Sequence, residues 1–172
     1  TDAVAAVTLA GLVFWLGFAV SQVFAGGAQA LVARAFGAGR LDAAGRVVRD
    51  SVGVAFVTGV LLALTVGSLA GFWLKVLDAS PSVAAAGVPY VQIGAIGFIA
   101  TLASFTVSSV FRATGDMVTP LWLNGTSCLV NLVLDPLLIF GYGPFPALGI
   151  AGAAWASVIA AFVALVWGVL RL

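Results

Sequence analysis

The chain has 172 residues, of which 63% are hydrophobic and 8% charged, with a mean hydropathy of +1.22; that balance lies far outside the range of water-soluble domains and marks an integral membrane protein. Seven Lys and Arg against six Asp and no Glu leave a net charge of +1, which gives no reason to expect a nucleic-acid partner. Histidine is absent and Cys128 is the single cysteine, so a disulfide within the chain, a His-containing zinc site and a Ser-His-Asp triad are excluded.

Five apolar stretches follow one another, at about Val4 to Ala33, Ser51 to Leu74, Val83 to Phe111, Met117 to Phe140 and Leu148 to Leu170. Crossing a hydrocarbon core of about 30 Å takes roughly 20 residues at about 1.5 Å each, and every stretch meets that; barrel strands would be about half as long. An all-α integral membrane fold with five transmembrane helices is predicted. The first span carries Gln22 and Gln29 on one face, read as packing glue, and stops at Gly37-Ala-Gly39. A loop from Arg34 to Asp50 holds Arg34, Arg40, Arg46 and Arg49, which the positive-inside bias assigns to the cytoplasm. The second span ends with the small pair Gly67 and Gly71 and with Trp73 beside Lys75, the best placed of the five tryptophans for an interfacial belt. Ser80-Pro81 opens the third, which holds Tyr90 and Gln92 early and a hydroxyl-rich run, Thr101 to Ser109, late; such hydroxyls bond the carbonyl four residues back, and no function is assigned to them.

The fourth span holds Cys128, read as a small buried packing residue. Gly141 to Pro146 separates it from the fifth, where Gly149, Ala153, Ser157 and Ala161 recur every four residues beside a second row, Gly152, Ala156, Ala160 and Ala164. Both rows read as surfaces for close helix approach. With the arginine-rich loop inside, alternation puts Lys75 outside, Arg112 inside, the Gly141 to Pro146 loop outside and Arg171 inside, six basic residues against one. It also puts Thr1 outside. Thr1 is not an initiator methionine and no basic n-region precedes the first span, so no signal peptide is expected and the chain reads as a piece of a longer one.

Asp135 is the one acidic or basic residue well inside an apolar stretch. A carboxylate at bilayer depth costs about 2.5–3.5 kcal/mol on insertion scales, so such groups face a cavity and handle ions or protons. Pro136 follows it and removes the backbone donor that the Leu132 carbonyl would use, making a helix bend at Pro136 the expectation. Asn124, Ser127, Asn131 and Asp135 fall at intervals of three, four and four, on one helical face. Asn124 and Ser127 read as interhelical hydrogen-bonding groups. Asn131 differs: its amide oxygen, one turn from the carboxylate and beside a freed carbonyl, supplies the hard oxygen ligands that Na⁺ accepts, and the same carboxylate is able to carry a proton.

Three stretches, Phe111-Arg-Ala-Thr-Gly-Asp-Met-Val-Thr-Pro120, Asn131-Leu-Val-Leu-Asp-Pro-Leu-Leu-Ile-Phe-Gly141 and Leu148-Gly-Ile-Ala-Gly-Ala-Ala-Trp-Ala-Ser157, resemble the multidrug and toxic compound extrusion (MATE) transporters, as does Ala33-Arg-Ala-Phe-Gly-Ala-Gly39. That resemblance implies two pseudo-symmetric six-helix lobes around a central cavity. Residues 1–172 would then be helices two to six of the N-terminal lobe, with the first helix and the second lobe of the same polypeptide missing. It implies a coupling site in which Asp135 and Asn131 match the family's Asp and Asn, Tyr90 in Val88-Pro-Tyr90 matches its Tyr, and Ser157 stands where Thr is usual. The function implied is export of drugs or other amphipathic organic cations in exchange for Na⁺ or H⁺, with no other cofactor, in a bacterial or archaeal inner membrane.

Two other readings stay open, a flippase for lipid-linked oligosaccharides of the same superfamily and an inert structural membrane subunit. No Lys or Arg falls inside the five apolar stretches, which disfavours a phosphate-rich substrate. An enzyme is not expected, because no histidine, Gly-x-Ser-x-Gly elbow or Walker sequence is present.

Overall fold

A computed structural model describes residues 2–142 and 146–172. Thr1 and the middle of the Gly141 to Pro146 loop lie outside the described residues, so the sides assigned to them are not addressed. The described chain is all-helical: α1 Asp2–Gly37, α2 Leu41–Ser68, α3 Ala70–Val76, α4 Pro81–Ala113, α5 Val118–Phe140 and α6 Ile150–Val169. Five of these, all but the short α3, are long and apolar enough to cross a membrane.

The second span differs from expectation. It begins at Leu41, ten residues before Ser51, and ends at Ser68, with α3 as a separate short helix. The arginine-rich loop is therefore two helix ends joined by a turn at Ala38 to Arg40, where Gly39 takes a φ of +70° and Arg40 N–H donates to the Ala35 carbonyl at 3.0 Å. Charge marks where the hydrocarbon stops, whereas a helix continues into the interface as long as its backbone bonds are made.

α4 sits at the centre and touches each of the other five helices. Ala10 and Val13 of α1, Ala55 and Val66 of α2, and Val91, Ala95, Phe98 and Leu102 of α4 form the buried core on one side of it. Small residues let these helices approach closely. Gly59 lies against the α4 backbone, where an added methyl would come within 2.8 Å of Ile99 Cα, and Gly17 lies under the Phe98 ring. Phe14 stacks at 5.9 Å on Phe98 and at 5.8 Å on Tyr90, carrying the core up to Tyr90.

α5 and α6 pair on the other side of α4. Only one of the two small-residue rows on α6 packs: Gly152, Ala156, Ala160 and Ala164 are buried, while Gly149 and Ser157 are exposed and Ala153 and Ala161 half-buried. Leu121, Leu129, Leu132 and Val133 turn the opposite face of α5 outward. Cys128 is exposed, not buried. Gly67 approaches Ala95 and the Gln92 carbonyl, but Gly71 has no neighbour within 4 Å, so that pair is not a packing motif. Gln22 is exposed, and Trp73 packs half-buried against the core with its Nε1 enclosed.

Caps set two helix starts. Ser80 Oγ accepts from Val83 N–H at 3.5 Å with Pro81 in the first turn of α4. Before α5, Asp116 Oδ1 accepts from the Val118 and Thr119 amides at 2.9 Å each, and Oδ2 accepts from Thr119 Oγ1 at 2.5 Å. The Thr119 hydroxyl first, then these amides, hold the Asp116 carboxyl below its usual range. A carboxylate depressed in the folded state contributes stability that is present above its unfolded pKa and lost as pH falls through the folded one. Hydrogen-exchange protection of the Val118 and Thr119 amides is therefore expected to drop on acidification below the usual carboxylate range. Asp116→Asn should flatten that dependence; an equally steep loss in the variant would show that another group governs this end of α5.

Candidate intramembrane cation site

The four side chains singled out by the sequence come from three helices. Asp135 and Asn131 stand one turn apart on α5, Ser157 is on α6 and Tyr90 on α4. They share a level: Asp135 is five residues from the end of α5, Ser157 seven from the start of α6 and Tyr90 nine from the start of α4. At about 1.5 Å per residue these are depths of roughly 8 to 14 Å below the helix ends opposite the arginine-bearing ones.

Asn131 links α5 to α6. With its NH₂ turned toward Asp135, Nδ2 donates to Asp135 Oδ2 at 3.0 Å, and the amide oxygen accepts from the Ser157 hydroxyl at 3.1 Å and the Ser157 N–H at 3.2 Å. This assignment satisfies both ends of the amide. Turned over, Nδ2 donates to Ser157 Oγ at 3.1 Å and the amide oxygen meets the carboxylate, two acceptors face to face. This second arrangement also sets Nδ2 against the Ser157 N–H, donor to donor, so the first orientation is the one this geometry holds. The sequence-based expectation of an amide-oxygen ligand beside Asp135 thus corresponds to the second orientation and not the first.

Asp135 Oδ1 is enclosed and has no hydrogen-bond partner. A carboxylate oxygen removed from water without a donor is unfavourable by several kcal/mol, so its surroundings fit a group that brings positive charge. Among the described residues no cluster of three or more His, Cys, Asp or Glu is placed to hold a metal ion. A cation at Asp135 would therefore rest on one carboxylate and neutral oxygens, a donor set suited to a monovalent hard ion or a proton.

Tyr90 completes the group from across a cavity. Tyr90 and Ser157 line a cavity of about 180 Å³ together with Phe14, Phe18 and Thr101. Ser157 also opens onto a second cavity of about 340 Å³ lined by Asn124, Ser127, Cys128 and Asn131. Asn124 and Ser127 face that space and make no side-chain hydrogen bond to another helix among the described residues, contrary to the interhelical bonding expected of them. Their shared face with Asp135 was the signal that they belong to its surroundings.

Both site-bearing helices carry an internal proline next to the functional side chain: Pro136 after Asp135 in α5 and Pro89 before Tyr90 in α4. Each removes one i to i−4 bond, leaving the Leu132 and Ala85 carbonyls without that donor. Pro89 was not read from sequence as a helix-interior proline, although its position mid-span beside a polar residue marks it as one. Both helices run unbroken through their prolines.

The chain was compared with known proteins. The MatE family model matches residues 1–137. A probable multidrug resistance protein NorM of Thermotoga maritima is 34% identical over 166 residues, covering 94% of this chain and 35% of that protein. The probable multidrug resistance protein YoeA of Bacillus subtilis is 31% identical over 159 residues, covering 92% of this chain and 34% of that protein. This chain thus spans about a third of the length of these curated relatives. A solved structure, the inward-facing conformation of a multidrug resistance MATE family transporter of the MOP superfamily, superposes with a TM-score of 0.91 at 22% identity, over 99% of this chain and 38% of that one, and has the same fold.

Proposed function

The chain belongs to the MatE family, and from that premise we propose that it is part of a secondary antiporter whose coupling ion, Na⁺ or H⁺, is carried by Asp135. The observation that carries this reading is the enclosed, unpartnered Asp135 Oδ1 beside an amide that donates to the other carboxylate oxygen and accepts from Ser157 on α6. Without the cation, the Asn131 NH₂ neutralises part of the carboxylate field and its oxygen ties α5 to Ser157 on α6. With the cation, the charge of the carboxylate is offset at Oδ1, and the Asn131 link to Ser157 is kept. A site of this kind shifts a two-state lobe only by the difference in its affinity for the two arrangements.

Tyr90 offers a further oxygen across the cavity, and the donor-free carbonyls at Leu132 and Ala85 sit in the turns that hold the site. The helix ladders are one bond short at those turns, which makes Pro136, with Pro89 opposite, the points where the lobe bends. The cargo we propose is drugs or other amphipathic organic cations, in line with the multidrug resistance names of the relatives, and the setting a bacterial or archaeal inner membrane, in line with their bacterial sources. The central cavity that binds such cargo would be completed by the rest of the polypeptide.

Carbodiimide labelling tests the site directly. In the full-length protein, Na⁺ or lowered pH is expected to protect Asp135 from modification, read by mass spectrometry of the peptide that contains it. Labelling that responds to neither cation would make Asp135 an inert structural acid.

A further inference from the structure

We propose that a hydrated polar passage between α4, α5 and α6 joins the Asp135 site to the arginine-bearing, cytoplasmic end of the helices and is the route by which the coupling cation leaves. This rests on Asp135 being the coupling group. Two polar ladders define the route. On α4, Thr101, Ser104, Ser108 and Arg112 fall at intervals of three, four and four. On α5, Asn124, Ser127, Asn131 and Asp135 have the same spacing and run the opposite way. Each ladder covers 12 residues, about 16 Å from its first to its last along the helix, which is roughly half of a hydrocarbon core of about 30 Å.

The two ladders face each other across a cavity of about 110 Å³, lined by Thr101, Ser104, Ser108 and Arg112 with Phe105 on one side and by Asn124 and Ser127 with Leu123 on the other. Ala161 and Ala164 of α6 form its third wall, and their small side chains leave the space open. The cavity shares Asn124 and Ser127 with the one that reaches Asn131 and Ser157, and shares Thr101 with the one that reaches Tyr90. Through these shared residues the three lie one after another between the site and Arg112.

Its polar groups call for water between the apolar walls. Ser104 Oγ is enclosed with no hydrogen-bond partner, whereas Thr106 and Ser109, on other faces of the same helix, turn back onto the Leu102 and Thr106 carbonyls at 2.9 and 2.7 Å. A water needs on the order of 10–15 Å³ of such space and two to four polar partners, so this cavity has room and partners for several. Arg112, half-buried at the mouth, is not within ion-pair distance of any carboxylate among the described residues, where the one ion pair is Arg49 with Asp50. Its permanent charge stands at the mouth with no carboxylate beside it, so the ladders offer water but no second cation-binding site there.

The test uses the full-length protein in liposomes, its cytoplasmic face exposed, in a Cys128→Ser background carrying Ser127→Cys. A charged, membrane-impermeant thiosulfonate added to that face is expected to modify the introduced thiol and slow cation-coupled exchange by about tenfold or more. Cation protection of Asp135 against carbodiimide should be retained. Ser104→Leu, which fills the cavity without any reagent, should do the same. Failure of the reagent to reach the thiol, or modification and filling that leave exchange at the parent rate, would overturn the passage, as would loss of Asp135 protection together with exchange. Absence of cation protection in the unmodified parent would instead remove the coupling role of Asp135, and the passage with it.

Discussion

Asp135→Asn in the full-length protein is expected to cut gradient-driven efflux at least about a hundredfold, equivalent to about 2.7 kcal/mol, while leaving the protein folded. The replacement keeps the shape of the side chain, and its amide oxygen still accepts from Asn131 Nδ2, so the α5 to α6 link through Ser157 survives. What disappears is the ionisable group. A neutral amide neither takes up a proton nor offsets the charge of Na⁺, so cation binding no longer distinguishes two arrangements of the lobe and the gradient has nothing to act on. Substrate binding to the solubilised variant should persist, which separates lost coupling from misfolding. Efflux at the parent rate under an imposed Na⁺ or H⁺ gradient would sink the coupling assignment.

Gly152→Ala is expected to be the most damaging single methyl in α6. An added Cβ would overlap the Leu138 carbonyl oxygen and stand 2.5 Å from the Leu138 carbonyl carbon and 2.9 Å from the Ile139 nitrogen. These are backbone atoms of α5, so no side-chain rotation relieves the clash and the two helices must part. Overpacking costs about 1–3 kcal/mol, and a backbone-to-backbone contact lies at the upper end of that range. Leu138 is one turn beyond Asp135, so separation there also draws Asn131 away from Ser157. A lowered thermal midpoint together with lost cation protection of Asp135 is the expected pair of results. Gly125→Ala serves as the control: nothing lies within 4 Å of its Cβ position on α5, and alanine there should be neutral or slightly stabilising. Equal midpoints for the two variants would mean that α5 and α6 are not held at Gly152.

Much of the fold was legible because membrane spans are written locally. Length, hydropathy and the arginines on one side delimit five crossings without reference to any neighbour, and Ser80-Pro81 and Gly37-Ala-Gly39 mark two of their ends. The errors came where a local pattern stood in for a neighbour. Arg46 and Arg49 marked a membrane boundary that was taken for a helix boundary. Gly71 has the same spacing signature as Gly67 but nothing beside it. Asn124, Ser127 and Cys128 were assigned to packing because small and polar residues on membrane helices commonly pack, yet they face open space. Of the site, the Asp135 and Asn131 pair followed from helical periodicity alone, whereas Tyr90 and Ser157 entered through the family resemblance, since nothing in their spacing connects them with α5.

The amino-acid sequence by itself determined that this is a helical membrane protein, how many times it crosses, and that one carboxylate lies at depth with an amide one turn away, because hydrophobic length and the 3.6-residue period need no partner to be read. Which row of α6 is buried was decided by the tertiary structure. Both rows are small, and only the seating of Gly152 against the Leu138 backbone sets the rotation that buries Ala156 and turns Ser157 toward Asn131. The facing of Thr101, Ser104 and Ser108 on α4 toward Asn124 and Ser127 was decided in the same way, since the rotation of a helix about its axis is a property of the packed bundle and not of any one segment.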